Sequence, residues 1–142
     1  MIVVGVDEGQ LGKEALRFAL HEAVIRGTRV RAVHAWSAVP VVPMTGPGMI
    51  TPIDSEPIHQ AAVKLLRQTV EAVAGERTDQ VERVVVEGPA GEAILEHAHD
   101  AELIVVGTRG HGTLAELILG SVSHHVVKHS HCPVVVVPPT QR

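Results

Sequence analysis

Tyrosine is absent from this chain, and Phe18 and Trp36 are its only other large aromatic side chains. So few flat rings cannot make the stacking platform on which single-stranded nucleic acids are held. A formal net charge of −4 is also the wrong sign for a general electrostatic grip on DNA or RNA. Nucleic acid is therefore not expected as a partner. Cysteine occurs once, as Cys132, so no disulfide can form within the chain. No apolar run reaches the ~18 residues of a membrane span, and the opening stretch Met1-Ile2-Val3-Val4-Gly5-Val6-Asp7 lacks the basic segment of a secretory signal. The expectation is a cytoplasmic protein with no membrane partner.

What remains is aliphatic. With 45% of residues hydrophobic and almost no rings, the core has to be built from Val, Leu, Ile and Ala. Such a core favours strands buried on both faces, as in a parallel sheet. A length of 142 residues fits one domain, 1–142, burying roughly two-thirds of its unfolded surface.

The pattern along the chain agrees. Residues 2–6 form a fully apolar strand with Asp7 at its carboxyl end. Residues 14–24 carry helical spacing, closed by Gly27, and 30–36 form a second strand. Five prolines (Pro40, Pro43, Pro47, Pro52, Pro57) then exclude regular structure from 37–57. Met44, Met49, Ile50 and Ile53 make that loop apolar enough to serve as a flap over a site or interface. Residues 58–74 form a second long helix, 81–86 a third strand, 90–99 a third helix, 103–106 a fourth strand and 133–137 a fifth. Strict alternation of this kind specifies an α/β fold: an open, mostly parallel five-stranded sheet with helices on both faces. Ligands in such sheets bind beyond the carboxyl ends of the strands.

One stretch stands out at such an end. Gly107, Gly110 and Gly112 follow the fourth strand and leave amide N–H groups open to a ligand. Thr113 and Glu116 have capping-box spacing, and Gly120 ends the short helix they would start. Ser121 is positioned to cap a second helix, whose opening residues Ser121, Val122 and Ser123 add further donors. Helix starts of this kind suit anions. No Gly-Lys-Ser/Thr follows, so this is not a Walker loop; Arg109 is the only cation inside it. The spacing also differs from the Gly-x-Gly-x-x-Gly dinucleotide fingerprint. Glycines alone leave two readings open, a phosphate cradle and a plain strand-to-helix turn. Asp7 is equally open: a turn or capping aspartate, or a carboxylate facing ribose hydroxyls, an adenine amine or a metal beside phosphates.

Gly107-x2-Gly110-x9-Gly120-Ser121 resembles the Gly-x2-Gly-x9-Gly-Ser/Thr signature of ATP-binding universal stress proteins. Val4-Gly5-Val6-Asp7, Ala93-Ile94-Leu95 and residues 132–137 resemble the family's first strand, third helix and closing strand. The resemblance covers nearly the whole chain. It implies a Rossmann-like sheet of the adenine nucleotide alpha hydrolase type, and a regulatory protein that binds ATP, with Mg²⁺. Gly107, Gly110, Gly120 and Ser121 would then contact phosphates and ribose, with Gly112, Val122 and Ser123 beside them and Arg109 and His111 lining the loop. Asp7 and the main chain from Val33 to Ala35 would face adenine and ribose, with Val106 bordering the base. A homodimer paired through Val134–Val137 is also implied. The chain departs from the family at Glu8-Gly9, where Gly-Ser is common.

Other chemistry is weighed against this reading. A slow ATPase would need a base, for which His111, Glu8 and Asp7 are the candidates. An AMP or cyclic AMP sensor and a ligand-free dimeric interaction module remain alternatives. His124, His125, His129, His131 and Cys132 cluster, with His125 and His129 one helical turn apart. No zinc-site pattern is completed, and a histidine-rich helix C-terminus favoured by the dipole explains them. Ser121 and Ser123 beside His124 and His125 lack a nucleophile elbow.

Overall fold

The structure, a computed structural model, describes residues 1–38, 54–108 and 119–139. The 37–57 loop is thus described only at its two ends, and the Thr113/Glu116 capping box lies outside the described residues. The elements run β1 (Ile2–Gly5), α1 (Gln10–Arg26), β2 (Val30–Trp36), α2 (Glu56–Ala74), a 3₁₀ turn (Gly75–Gln80), β3 (Val81–Glu87), α3 (Ala90–Glu96), β4 (Leu103–Gly107), α4 (Ser121–His129) and β5 (Val134–Val137).

All five strands are parallel, in the order β3-β2-β1-β4-β5. The chain winds outward from β1 through β2 to β3. It then crosses to the other side of β1 for β4 and β5. The switch of direction lies between β1 and β4, where a crevice opens beyond the strand ends.

Alternation along each strand feeds two cores. On one face Val4, Val30, Ala32 and Val105 meet Leu16, Ala19 and Leu20 of α1 and Leu66 and Val70 of α2. On the other, Val3, Val33, Ile104 and Val106 meet Ala93 and Ile94 of α3 and Val126 of α4. Every strand contributes to both faces, which is why the strands read as unbroken aliphatic runs.

Helix ends differ from expectation by about one turn at most. α1 begins at Gln10 rather than at residue 14, because Gly9 takes the extended N-cap conformation. It ends at Gly27 in the left-handed region (φ 63°), whose amide closes onto Ala23 and Val24 carbonyls. α2 starts two residues earlier than its apolar pattern, with Pro57 in its first turn. α3 is shorter than expected: Pro89 is its N-cap, and regular helix stops at Glu96. Ser121 is the first residue of α4, and the N-cap is Gly120 with no side-chain cap, correcting the role expected for that serine.

At the amino-terminal end of the sheet Arg31 ties β2 to the α3 side. Its Nη1 donates to the His97 carbonyl and to Asp100 Oδ1, both at 2.7 Å. Nε lies 3.0 Å from Glu82 Oε1, an ion-pair distance, without aligning its N–H for a hydrogen bond. The hydrogen bond from Arg31 holds the Asp100 carboxyl below its ordinary range.

Candidate functional site

The carboxyl ends of β1, β2 and β4 surround a cleft of about 150 Å³ at the switch point. Gly5, Val6 and Asp7 come from β1 and its exit, Val33 to Ala35 from β2, and Val106 and Gly107 from β4. Ala90 and Ile94 of α3, Gly12 of α1 and Val122 of α4 complete the walls. Most of this lining is aliphatic, so the cleft can take a flat heteroaromatic body while main-chain groups read its edges.

Two glycines set the shape. A Cβ on Gly5 would sit 2.6 Å from Ile94 Cδ1. One on Gly12 would sit 2.5 Å from Asp7 Oδ1 and 2.7 Å from the Asp7 amide nitrogen. Helix α1 can therefore approach the exit of β1 only because position 12 lacks a side chain. Asp7 itself accepts a hydrogen bond from the Gly9 amide at 3.0 Å through Oδ1. The turn role expected for an aspartate here is thus present, on a residue that also borders the cleft.

The flanks of segment 109–118 are fastened together. Gly120 N–H donates to the Thr108 carbonyl at 2.6 Å, and Thr108 N–H donates to Val137 O at 3.0 Å. Ser123 is 1% exposed, and its hydroxyl is shared between the carbonyls of Thr108 (3.1 Å) and Gly120 (3.0 Å). Ser123 is a strut that holds the two flanks at a fixed spacing. The Gly120 amide is likewise committed to the fold.

The first main-chain bond into α4 runs from His124 N–H to the Gly120 carbonyl. The amides of Ser121, Val122 and Ser123 precede it and have no acceptor in the helix. Ser121 is exposed and lines a second depression with Pro89, Gly91, Glu92 and His125. That depression shares Ala90 and Val122 with the cleft. An apolar cleft thus adjoins a helix start whose first three amides have no acceptor within the helix.

Of the residues expected at the site, Asp7, Val33, Ala35, Val106, Gly107 and Val122 meet at the cleft. Gly120, Ser121 and Ser123 lie at the adjoining helix start. Arg109, Gly110, His111 and Gly112 lie outside the described residues. Sequence reasoning missed Gly5, Val6, Gly12, Ala90 and Ile94 as lining residues, and included His34 only through its main chain. Gly12 carried no signal while the helix was read from residue 14; only the observed start at Gln10 places this glycine within it. His34 carried none; its Nδ1 lies 2.7 Å from the Val6 carbonyl, a contact between strands that spacing does not reveal. Glu8, weighed as a catalytic base, lines a different groove, between α1 and α2. His125 and His129 stack with ring centres 4.5 Å apart, and among the described residues no three His, Cys, Asp or Glu groups converge as metal ligands.

This geometry defines a doubly wound α/β domain with a ligand crevice at its switch point. The chain belongs to the universal stress protein family, whose family model matches residues 1–138. A universal stress protein from Thermus aquaticus is 33% identical over 138 residues, covering 96% of each chain. One from Mycobacterium tuberculosis is 34% identical over 136 residues, covering 95% of this chain. The present chain spans only 44% of that mycobacterial relative's length. A solved universal stress protein from Archaeoglobus fulgidus, in complex with dAMP, superposes with a TM-score of 0.67 at 27% identity. That match covers 96% of this chain and 95% of the other. Among the described residues no helix is long and apolar enough to cross a membrane.

Proposed function

We propose that this chain is a regulatory protein that binds an adenine nucleotide, ATP with Mg²⁺, across the carboxyl edge of its sheet. The base lies in the cleft between Val33 to Ala35 and Val106, and the phosphates run toward Gly107 and the start of α4. One observation carries this reading: an aliphatic cleft at the β1/β4 switch point adjoins the amides of Ser121 to Ser123, which among the described residues have no acceptor. The dAMP bound by the Archaeoglobus relative supports an adenine nucleotide as the ligand class. The glycine signature through Gly110, with Arg109, His111 and Gly112 in its loop, supports added phosphates.

Asp7 is the only carboxylate among the described residues that line the cleft, and its Oδ1 already accepts from Gly9. That fits a Mg²⁺ held chiefly by phosphate oxygens and water, the usual arrangement for this ion. The single Cys132 and the charge balance fit a cytoplasmic protein.

Ser121→Asp tests the phosphate assignment, because it moves stability and affinity in opposite directions. A carboxylate in the first turn of α4 gains about 0.3–1 kcal/mol from the helix dipole. The same charge repels phosphates. Calorimetric titration is expected to show ATP affinity falling by about tenfold or more, a loss of at least about 1.4 kcal/mol, while thermal stability is kept. Equal ATP affinity in the variant, or no heat from millimolar ATP with the parent protein, would refute the proposal.

The same reading includes a homodimer. β5 is an edge strand, and Pro133 and Val137 carbonyls accept from Ile104 and Thr108 on the β4 side. By the two-residue alternation, main-chain groups of Val134 and Val136 face outward, where an unprotected edge invites another strand. Sedimentation equilibrium should give twice the chain mass for the parent and a monomer for Val136→Pro, which removes an outward donor. A dimer that survives this substitution places the interface elsewhere.

A further inference from the structure

The seam between α1 and α2 holds a groove of about 560 Å³. It lies across the β1–α1 loop from the nucleotide cleft: Asp7 and Gly12 face the cleft, and their neighbours Glu8 and Lys13 face the groove. Lys13 of α1 and Lys64 of α2 both line it. Among the described residues neither ammonium lies within ion-pair distance of a carboxylate. Against the single charge of Glu8, two lysines leave the groove net positive in a chain whose total is −4. Arg17 and Arg77 border the next depression along the same seam and extend the positive field.

A second observation comes from Thr69. It is 6% exposed and lines the groove, and among the described residues its hydroxyl has no hydrogen-bond partner. Arg31 Nε is the only fully enclosed side-chain nitrogen or oxygen there that lacks a partner, so the Thr69 hydroxyl is not sealed inside the core. It keeps some exposure, on a residue that lines the groove. A hydroxyl that is accessible and unpartnered among the described residues can donate to a ligand seated in the groove. Gln68 adds a carboxamide, whereas Ala61, Leu65 and Ala72 present only carbon.

We propose that this groove is a second ligand site, separate from the nucleotide cleft, for a phosphomonoester with a short carbon skeleton. Lys13 and Lys64 take the dianionic phosphate from opposite helices, Thr69 donates to a phosphate oxygen from the floor, and the carbon skeleton rests on Leu65 and Ala72. The two lysines supply charge-assisted hydrogen bonds, and the loss of each should weaken binding about tenfold.

The experiment titrates ¹⁵N-labelled full chain with glycerol 3-phosphate and follows amide shifts, with glycerol and inorganic phosphate as comparators. Saturable shifts are expected at Lys13, Lys64, Gln68 and Thr69, with inorganic phosphate weaker and glycerol silent. Lys13→Gln/Lys64→Gln should weaken binding about a hundredfold, and Thr69→Val about threefold or more. Dye-monitored melting confirms that the variants remain folded. Unchanged affinity in the double lysine variant overturns the proposal. So do shifts confined to Gly107 and Ser121 to Ser123, shifts that never saturate, or an equal response to glycerol.

Discussion

Gly12→Ala is expected to destabilise the protein by about 2 kcal/mol, although the substitution lies in a helix and adds one methyl group. Helix propensity alone predicts the opposite, a gain of about 1 kcal/mol. The steric term has the larger magnitude. The new Cβ would lie 2.5 Å from Asp7 Oδ1, 2.7 Å from the Asp7 nitrogen and 2.9 Å from its carbonyl oxygen. Two of those three atoms are backbone, so no rotamer change relieves the clash. The loop from Asp7 to Gly9 or the start of α1 has to move, at the upper end of the roughly 1–3 kcal/mol seen for overpacking. Because Asp7 and Gly12 both line the cleft, adenine nucleotide affinity should fall with stability, by about tenfold for a displacement worth ~1.4 kcal/mol. Thermal melting and an ATP titration check both halves. A variant that melts higher than the parent would mean that propensity outweighs the contact.

Gly12 also marks where the sequence was legible and where it was not. The strands could be read because their neighbours are local in kind: aliphatic runs bounded by Asp7, Gly88-Pro89 and Gly107 admit few other structures. The α/β alternation then leaves a parallel sheet as the natural arrangement. Strand order was not in the pattern. That β1 lies between β2 and β4 decides which strand ends share a crevice, and it rests on contacts about a hundred residues apart, such as Ile2 with Leu103.

The same limit applies to individual roles. Spacing placed Ser121 and Ser123 together as donors, but only the fold separates them. Ser121 is exposed at the helix start, while Ser123 turns inward to bond two carbonyls. Glu8 and Asp7 are adjacent in sequence and were weighed for one site, yet they line opposite sides of a loop. Residues that differ by one position at a strand exit point different ways, and that choice is settled by what packs against them.

The largest loss of stability is expected on the face that carries α3 and α4. Ile104 is fully buried there, between Val3 of β1 and Val134 of β5 in register, and belongs to the cluster containing Ala93, Ile94 and Val126. This cluster is covered by two short helices of seven and nine residues, against seventeen and nineteen on the other face. Short helices contribute little stability of their own and depend on their packing. Ile104→Ala should therefore cost about 4 kcal/mol, near the top of the range for such truncations, whereas Ile104→Val should cost about 1 kcal/mol. Against a total of roughly 5–15 kcal/mol, the alanine variant would be close to unfolding in dilute buffer. Strand β4 also supplies Val106 and Gly107 to the cleft, so ligand binding and this core are linked. ATP at a hundred times its dissociation constant should return about 2.7 kcal/mol, most of the loss. Urea unfolding of parent and variants, with and without ATP, reads both effects. If ATP shifts the parent's midpoint by about this amount and leaves that of Ile104→Ala where it was, the truncated variant no longer binds the nucleotide, and the cleft has been lost with the core beneath it.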